Sequence, residues 1–529
     1  MQIPLVPFTI LALAPTGPHA DHPFTLEIVP TDLFSLDEAI EALGPRFRVS
    51  LPARLCPEGQ LTLHIRSMKG FKPDSLVQEA PYLKSLYEAG RLIDEGVASG
   101  RPAEQIAERL KSQWPDLPLD LSISQGKPQS RVQSPVDDIL AMVAIPQGPG
   151  GETHSSSESS PRSWRAQVDR LLASLLEHIF ANGEFRTYEA AWRGIEVLLK
   201  QGQVKEGGGI EVKIVPVGMD SLEEALDMLM AVLPSDIPNL VLIDLPFDTT
   251  PRCIDLLEKV AAFAESMLVP TVGWITPRFF NLERWEDLGK LPYIGHHLED
   301  AAFAKWRKLR EHSASSWMAV TCNRFLSRYP YGEGNSPRKV SFQEKERLWI
   351  SPVWALGALV AQSVSKYGWP SRFTDYSNVR LEQLALHELP GERPISTEMS
   401  LSENRLMELI EAGLTPLFGM LNKDIAFIPK ATMVAGDSLA YQLFITRFLG
   451  FLFWCREHLG NAESGMDIAR DVKNAISLFF QKSSGEPPVD LTVVAGQTDE
   501  DGSIPLHISL TPPRSILGGE QKLELTFDW

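Results

Sequence analysis

Apolar residues recur at helical spacing most clearly between Glu184 and Leu199 (EFRTYEAAWRGIEVLL). Phe185, Tyr188, Trp192, Ile195 and Leu199 stand three or four apart and so share one face of a helix. The polar positions Arg186, Glu189, Arg193 and Glu196 are expected on its outer surface, with Glu189 and Arg193 four apart in the favourable acid-first order. Downstream the pattern alternates: a strand over 210–217, a helix over 221–232, a continuously apolar strand over 240–245, a helix over 254–267 and a strand over 269–275. Strand–helix alternation of this kind predicts a sheet with helices on its faces. Helices are expected again over 353–367, 402–412, 438–458 and 466–481. The chain then returns to a period of two in strands over 491–494, 506–510 and 523–527. Their apolar positions include Leu506, Ile508, Leu510, Leu523, Leu525 and Phe527.

The first part of the chain reads as shorter pieces. A strand near the start precedes a turn-rich loop, a second strand is expected over 24–29, and Ser35 is placed to cap a helix over 35–43. Two alternating strands over 46–51 and 61–65 follow. A helix running from Ser75 carries Leu76, Leu83, Leu86 and Leu92, and a short one is expected over 102–114. Leu117, Leu119, Leu121 and Ile123 alternate with polar or turn residues, which predicts a strand with one covered face. Residues 147–163 (QGPGGETHSSSESSPRS) are a Gly/Ser/Pro linker with too little apolar surface to fold by itself.

Composition narrows the function. A formal charge of −18 over 529 residues argues against a nucleic-acid binder, which depends on Lys and Arg at phosphates, and against docking on anionic lipid. The absence of an apolar run of about 18 residues argues against membrane insertion. Cys56, Cys253, Cys322 and Cys455 are far apart, without a CxxC pair, and read as buried thiols in a reducing compartment. Enzyme chemistry finds little support. The VLIDLP segment around Asp244 has the apolar strand and acid of a nucleotide site, but no GxxxxGK[ST] loop accompanies it. The glycines at 207–209 precede a strand, where they cannot aim a helix N-terminus at phosphate. His296 and His297 near Glu299 and Asp300 are the only metal-like cluster, and neighbouring side chains diverge on a regular element. No cofactor, metal or catalytic residue is expected.

The wording of certain phrases is more specific than their physics. Phe185, Glu189, Trp192, Arg193 and Gly194 form an F-x-x-x-E-x-x-W-R-G phrase that resembles the start of the large subunit of the contractile sheath of bacterial type VI secretion. Trp306 and Arg310, then Arg324, Phe325, Arg328, Pro330, Tyr331 and Gly332, and later Gly368 and Trp369, match further phrases of that subunit. Upstream, Phe71, Pro73 and Asp74 stand in an F-x-P-D phrase that resembles the small subunit of the same sheath. A Gly-Gly before Leu389-Pro390 is missing from the pattern. Arg324, Arg328 and Tyr331 are expected either to be held by carboxylates or carbonyls beside a buried turn, or to brace a joint between moving parts.

The resemblance implies an α/β (α+β) sheath-type protomer, with mixed sheets flanked by helices and with strands exchanged between protomers. It divides the chain into a small-subunit-like domain (1–125), a seam and linker (126–163), a large-subunit-like α/β body (164–485) and a C-terminal β-hairpin (486–529). It implies a structural protein, not an enzyme, that polymerises with itself around an inner-tube ring protein in the bacterial cytoplasm. A baseplate anchored at the envelope and an AAA+ unfoldase are the implied partners. A sheath-like baseplate or cap component that does not contract is the alternative. The strands around Leu117–Ile123 and the C-terminal hairpin are expected to join one protomer to the next.

Overall fold

The structure is a computed structural model that describes residues 7–17, 24–122, 160–388, 391, 393–459, 464–498, 503–519 and 521–529. Its main elements are strands β1 (Phe8–Ala14) and β2 (Val29–Thr31), helix α1 (Leu36–Leu43), strands β3 (Arg46–Ser50) and β4 (Gln60–His64), and helices α2 (Pro73–Glu79), α3 (Pro81–Ala98), α4 (Ala103–Gln113), α5 (Pro161–Ala181) and α6 (Gly183–Gln201). Then come β5 (Ile210–Pro216), α7 (Leu222–Val232), β6 (Leu240–Phe247), α8 (Pro251–Met267), β7 (Thr271–Ile275), α9 (Ala304–Glu311) and β8 (Met318–Cys322). The last third holds α10 (Pro352–Tyr367), α11 (Glu403–Glu411), β9 (Thr415–Pro416), α12 (Leu439–His458), α13 (Gly465–Ser484), β10 (Val489–Ala495), β11 (Pro505–Thr511) and β12 (Leu523–Asp528).

Seven strands make one mixed sheet in the order β9-β8-β7-β6-β1-β5-β2. Strand β1 is parallel to β5 on one side and to β6 on the other, and β2 alone runs antiparallel, along β5. All seven residues of β1 are buried because both faces of the sheet are covered. Phe8, Ile10 and Ala12 join the cluster on one face, with Trp192 of α6 and Trp354 of α10. Leu11 and Leu13 join the opposite cluster, with α7, α8 and α11. The first of these cores is continuous with the interior of the first 122 residues: Leu36, Phe47, Phe71, Leu83 and Ile106 belong to the same cluster. The described part of the first 122 residues therefore shares both a sheet and a core with the rest of the chain. A third cluster packs α12 and α13 on the terminal strands, around Trp369.

Several local expectations change. Residues 24–28 form no strand, and pairing begins only at Val29. The helix expected from Ser75 through Leu92 breaks into α2 and α3, because Pro81 cannot continue α2 and starts a new helix at its first position. Ser35 does not cap α1; its hydroxyl donates to Asp32 and accepts the Asp32 N–H. Residues 117–122 are not a strand. Leu119 and Leu121 do turn inward as the alternation demands, packing on the first core, and the Gln167 side chain of α5 takes the Asp120 N–H, but no ladder forms. Ile123 lies outside the described residues, as do Leu389 and Pro390. The C-terminal hairpin is a three-stranded antiparallel sheet, β10-β11-β12.

Candidate functional site: a buried ion cluster and an open strand edge

Helix α6 owes its position to its smallest residue. Gly194 faces Trp354 so closely that a Cβ there would overlap the indole ring, so α6 and α10 can touch only with glycine at this point. Phe185, at the helix start, meets Phe180 (5.1 Å), Phe47 (5.4 Å) and Phe71 (5.8 Å) between ring centroids, tying β3 and the segment before α2 to α5 and α6. Asn182 caps the helix by accepting the Phe185 N–H.

The helix is buried on more than its apolar face. Glu189 and Arg193, expected on the surface, are 0% and 9% exposed. The reason is a loop about 139 positions further along the chain that lies over the polar face. Its Arg328 donates from Nε and Nη2 to both oxygens of Glu189 (2.9 and 3.0 Å), and from Nη1 and Nη2 to both oxygens of Glu344 (2.6 and 2.9 Å). Arg193 adds a bond to Glu189 at 2.7 Å. Burial alone would push Glu189 up, but Arg328 and Arg193 outweigh it and hold the carboxyl below its ordinary range. Arg328, also desolvated, is held above its ordinary range by the two glutamates and faces the Tyr331 ring at 4.7 Å. Glu344 also accepts the Tyr331 N–H, and Gly332 next to it takes φ 147, a conformation that favours glycine.

The other signature residues serve as staples. Arg324 grips Glu398 with two bonds of 2.7 Å, while the side chain of Asn323 before it binds Met399 and Leu417 main-chain groups. Phe325 is fully buried and Pro330 half-buried. Trp306 is in the core, and Arg310 donates to the carbonyls of Glu411 and Val434. Asp74 accepts the N–H groups of Arg338 and Lys339, Phe71 is buried, and Pro73 opens α2. Gly368, at φ 74, ends α10 against the Ser483 carbonyl, where a Cβ would not fit. Trp369 donates to Ser483 Oγ at 2.9 Å and stacks on Phe444, Phe479 and Phe480, which joins the sheet body to α12 and α13. Sequence reasoning missed Glu398; nothing local marks it as the partner of Arg324, 74 positions earlier.

The residues that the sequence offered for chemistry hold structural positions. The four cysteines are buried and free, and burial pushes Cys322 and Cys455 up. Among the described residues no cluster of three or more His, Cys, Asp or Glu side chains could hold a metal. His297 bonds the Phe280 carbonyl and packs between Phe280 and Phe303. No described helix is long and apolar enough to cross a membrane.

The expected joining strands separate into two groups. Leu506, Ile508, Leu510, Leu523 and Phe527 are buried against α12 and α13, and Leu525 is half-buried against them. Their side chains are committed to the chain's own core. The open feature is β10, an edge strand whose Val489 and Val494 are 57% and 58% exposed and whose outer main-chain edge pairs with no described strand.

Comparison with known proteins agrees with the body of this structure. The VipB family model, described as "EvpB/VC_A0108, tail sheath N-terminal domain", matches residues 237–434. The type VI secretion system sheath protein TssC1 of Pseudomonas aeruginosa is 24% identical over 293 residues, 49% of this chain and 58% of the relative. The chain thus spans less than two thirds of that relative's length. A chain of the anti-feeding prophage baseplate aligns over 61% of this chain and 77% of its own, at 11% identity and TM-score 0.39. The sheath tail protein Lin1278 of Listeria innocua aligns over 58% and 59%, at 9% identity and TM-score 0.30. Over residues 237–434 the chain is thus similar to the tail-sheath domain of the VipB family.

Proposed function

We propose that this protein is a structural protomer of a contractile, tail-like sheath for type VI protein secretion. It polymerises in the bacterial cytoplasm around an inner-tube ring protein and docks on an envelope-anchored baseplate. The observation that carries the reading is the sheath domain over 237–434, which includes the Arg324–Gly332 loop that locks onto α6. The small-subunit-like phrase around Phe71–Asp74, bound to the main chain at 338–339, supports a fusion of both sheath subunits in one chain. Polymerisation proceeds by strand addition at the β10 edge, with the segment around Leu117–Ile123 and the seam behind it as donor. Main-chain ladders made this way persist while rigid bodies rotate. An AAA+ unfoldase recycles the contracted form.

Negative-stain microscopy of the purified protein tests the reading: it is expected to show hollow tubes of uniform diameter. Discrete particles at every concentration and salt condition tried would instead favour a baseplate or cap component.

A further inference from the structure

At the carboxyl ends of β1, β5, β6 and β7 lies a pocket of about 470 Å³, inside the range of roughly 300–1,000 Å³ usual for small-ligand sites. It opens where β1 is inserted between β5 and β6, so that the chain's strand order reverses. Open α/β sheets hold their ligands at such a point. Asp244, Trp274 and Ser351 line it together with Trp349, Leu245 and Met219.

Asp244 is unusual in this molecule. Of the three buried carboxylates among the described residues, Glu189 and Glu344 are held by Arg328, whereas Asp244 has no cation. It accepts one bond, 2.7 Å from the Trp354 indole. The buried Trp274 indole N–H and Ser351 hydroxyl also face this carboxyl. Burial without a counter-ion pushes Asp244 above the ordinary carboxylate range, despite the indoles and hydroxyl that face it. Two arginines line the same pocket but are engaged elsewhere. Arg324 is clamped on Glu398, and Arg186 donates to the Phe180 and Arg347 carbonyls and pairs with Glu346. A single carboxylate is too few donors for a divalent metal. A carboxylate in an aromatic-lined pocket is, by contrast, the chemistry that recognises an organic cation.

We propose that this pocket binds an organic cation, an ammonium or guanidinium group on an apolar body, with Asp244 as its counter-ion and Trp274 and Trp349 as its wall. The cation comes from a free amine or from a basic side chain of a second copy of this chain. Ligand-observed NMR with butylamine and agmatine as probes, and pentanol as the neutral control, tests this on the full-length chain. Both amines are expected to bind the wild type, and at least tenfold more weakly to Asp244→Asn, whose thermal melt verifies folding; Trp349→Ala is expected to weaken binding without abolishing it. Amine binding that leaves assembly untouched identifies a free ligand. Amine that blocks assembly in step with occupancy identifies the side chain of a second copy. Equal binding to wild type and Asp244→Asn, or binding to neither, overturns the proposal. The binding measurement needs no polymer, so it stands or falls apart from the sheath reading.

Discussion

Among the described residues, Arg328 is the one cation that bridges two buried carboxylates, Glu189 and Glu344, with paired hydrogen bonds to each. Breaking a buried pair from one side costs about 3–5 kcal/mol, because the stranded charge is left without solvent or partner. Arg328→Met leaves Glu189 with Arg193 alone and Glu344 with only the more distant Arg186, 3.9 Å away. The expected outcome is a loss of that order in the urea unfolding free energy at pH 7. The pH dependence follows from the direction of the Glu189 shift. A carboxyl held below its unfolded value of about 4 contributes stability that is present above that value and is lost as the pH falls through the folded one. The deficit of Arg328→Met should therefore shrink as urea titrations move from pH 7 to well below about pH 4, where the wild type loses the Glu189 contribution. A deficit that stays constant over that range would mean that Arg328 acts through packing against Phe180 and Tyr331 instead. Much of this site could be read from sequence and much could not. The Glu189–Arg193 pair is local and its spacing is legible. Its burial is not, because the residue that covers it arrives 139 positions later. Gly194 was visible only as a word in a phrase until Trp354 gave it a physical reason.

At the scale of elements, periodicity located strands well but could not say which faces or edges were free. The alternation of Leu506, Ile508 and Leu510 is the signature of one covered face, and the cover is the chain's own α12 and α13. The same pattern at Leu117–Leu121 produces a non-strand segment whose leucines pack on the first core and that pairs with no described strand, since period two reports burial and not hydrogen bonding. Edges are decided by sheet order, which local sequence does not encode. This changes where assembly should be attacked. Ile508→Asp would bury a charge in the third core and unfold the terminal sheet, which says nothing about polymers. Val489 and Val494 lie on the open edge and are more than half exposed, so lysines there should change stability by no more than about 0.5 kcal/mol. Charged lysines are also how natural edge strands avoid pairing. A Val489→Lys, Val494→Lys double variant should melt with the wild type and form no long tubes in electron microscopy. Tubes of ordinary length from this variant would exclude β10 as the joining edge.

For the whole molecule, the two halves expected from the sequence do not form separate cores. β1, from the first half, is the strand that joins β6 to the β5–β2 pair in the described sheet. It buries Phe8, Ile10, Leu11 and Leu13 between two layers of helices, each contributing about 1.5–3 kcal/mol. Their sum, on the order of 10 kcal/mol, is comparable to the whole stability of a typical domain. Phe47 and Phe71 against Phe185, and Asp74 against the main chain at 338–339, add contacts across the same boundary. A covalent link is then needed to deliver β1 to the sheet but not to hold it there. A protease site placed within the Gly/Ser-rich stretch at 150–156 makes this testable. After cleavage of the folded protein, the two pieces should co-elute in size-exclusion chromatography and melt in one transition. Residues 160–529 expressed alone, with the centre of the sheet missing, should be insoluble, and co-expression with residues 1–122 should restore them to solution. Separation of the cleaved pieces under native conditions, or a soluble and cooperatively folded 160–529 fragment, would show that the second half completes its sheet without β1.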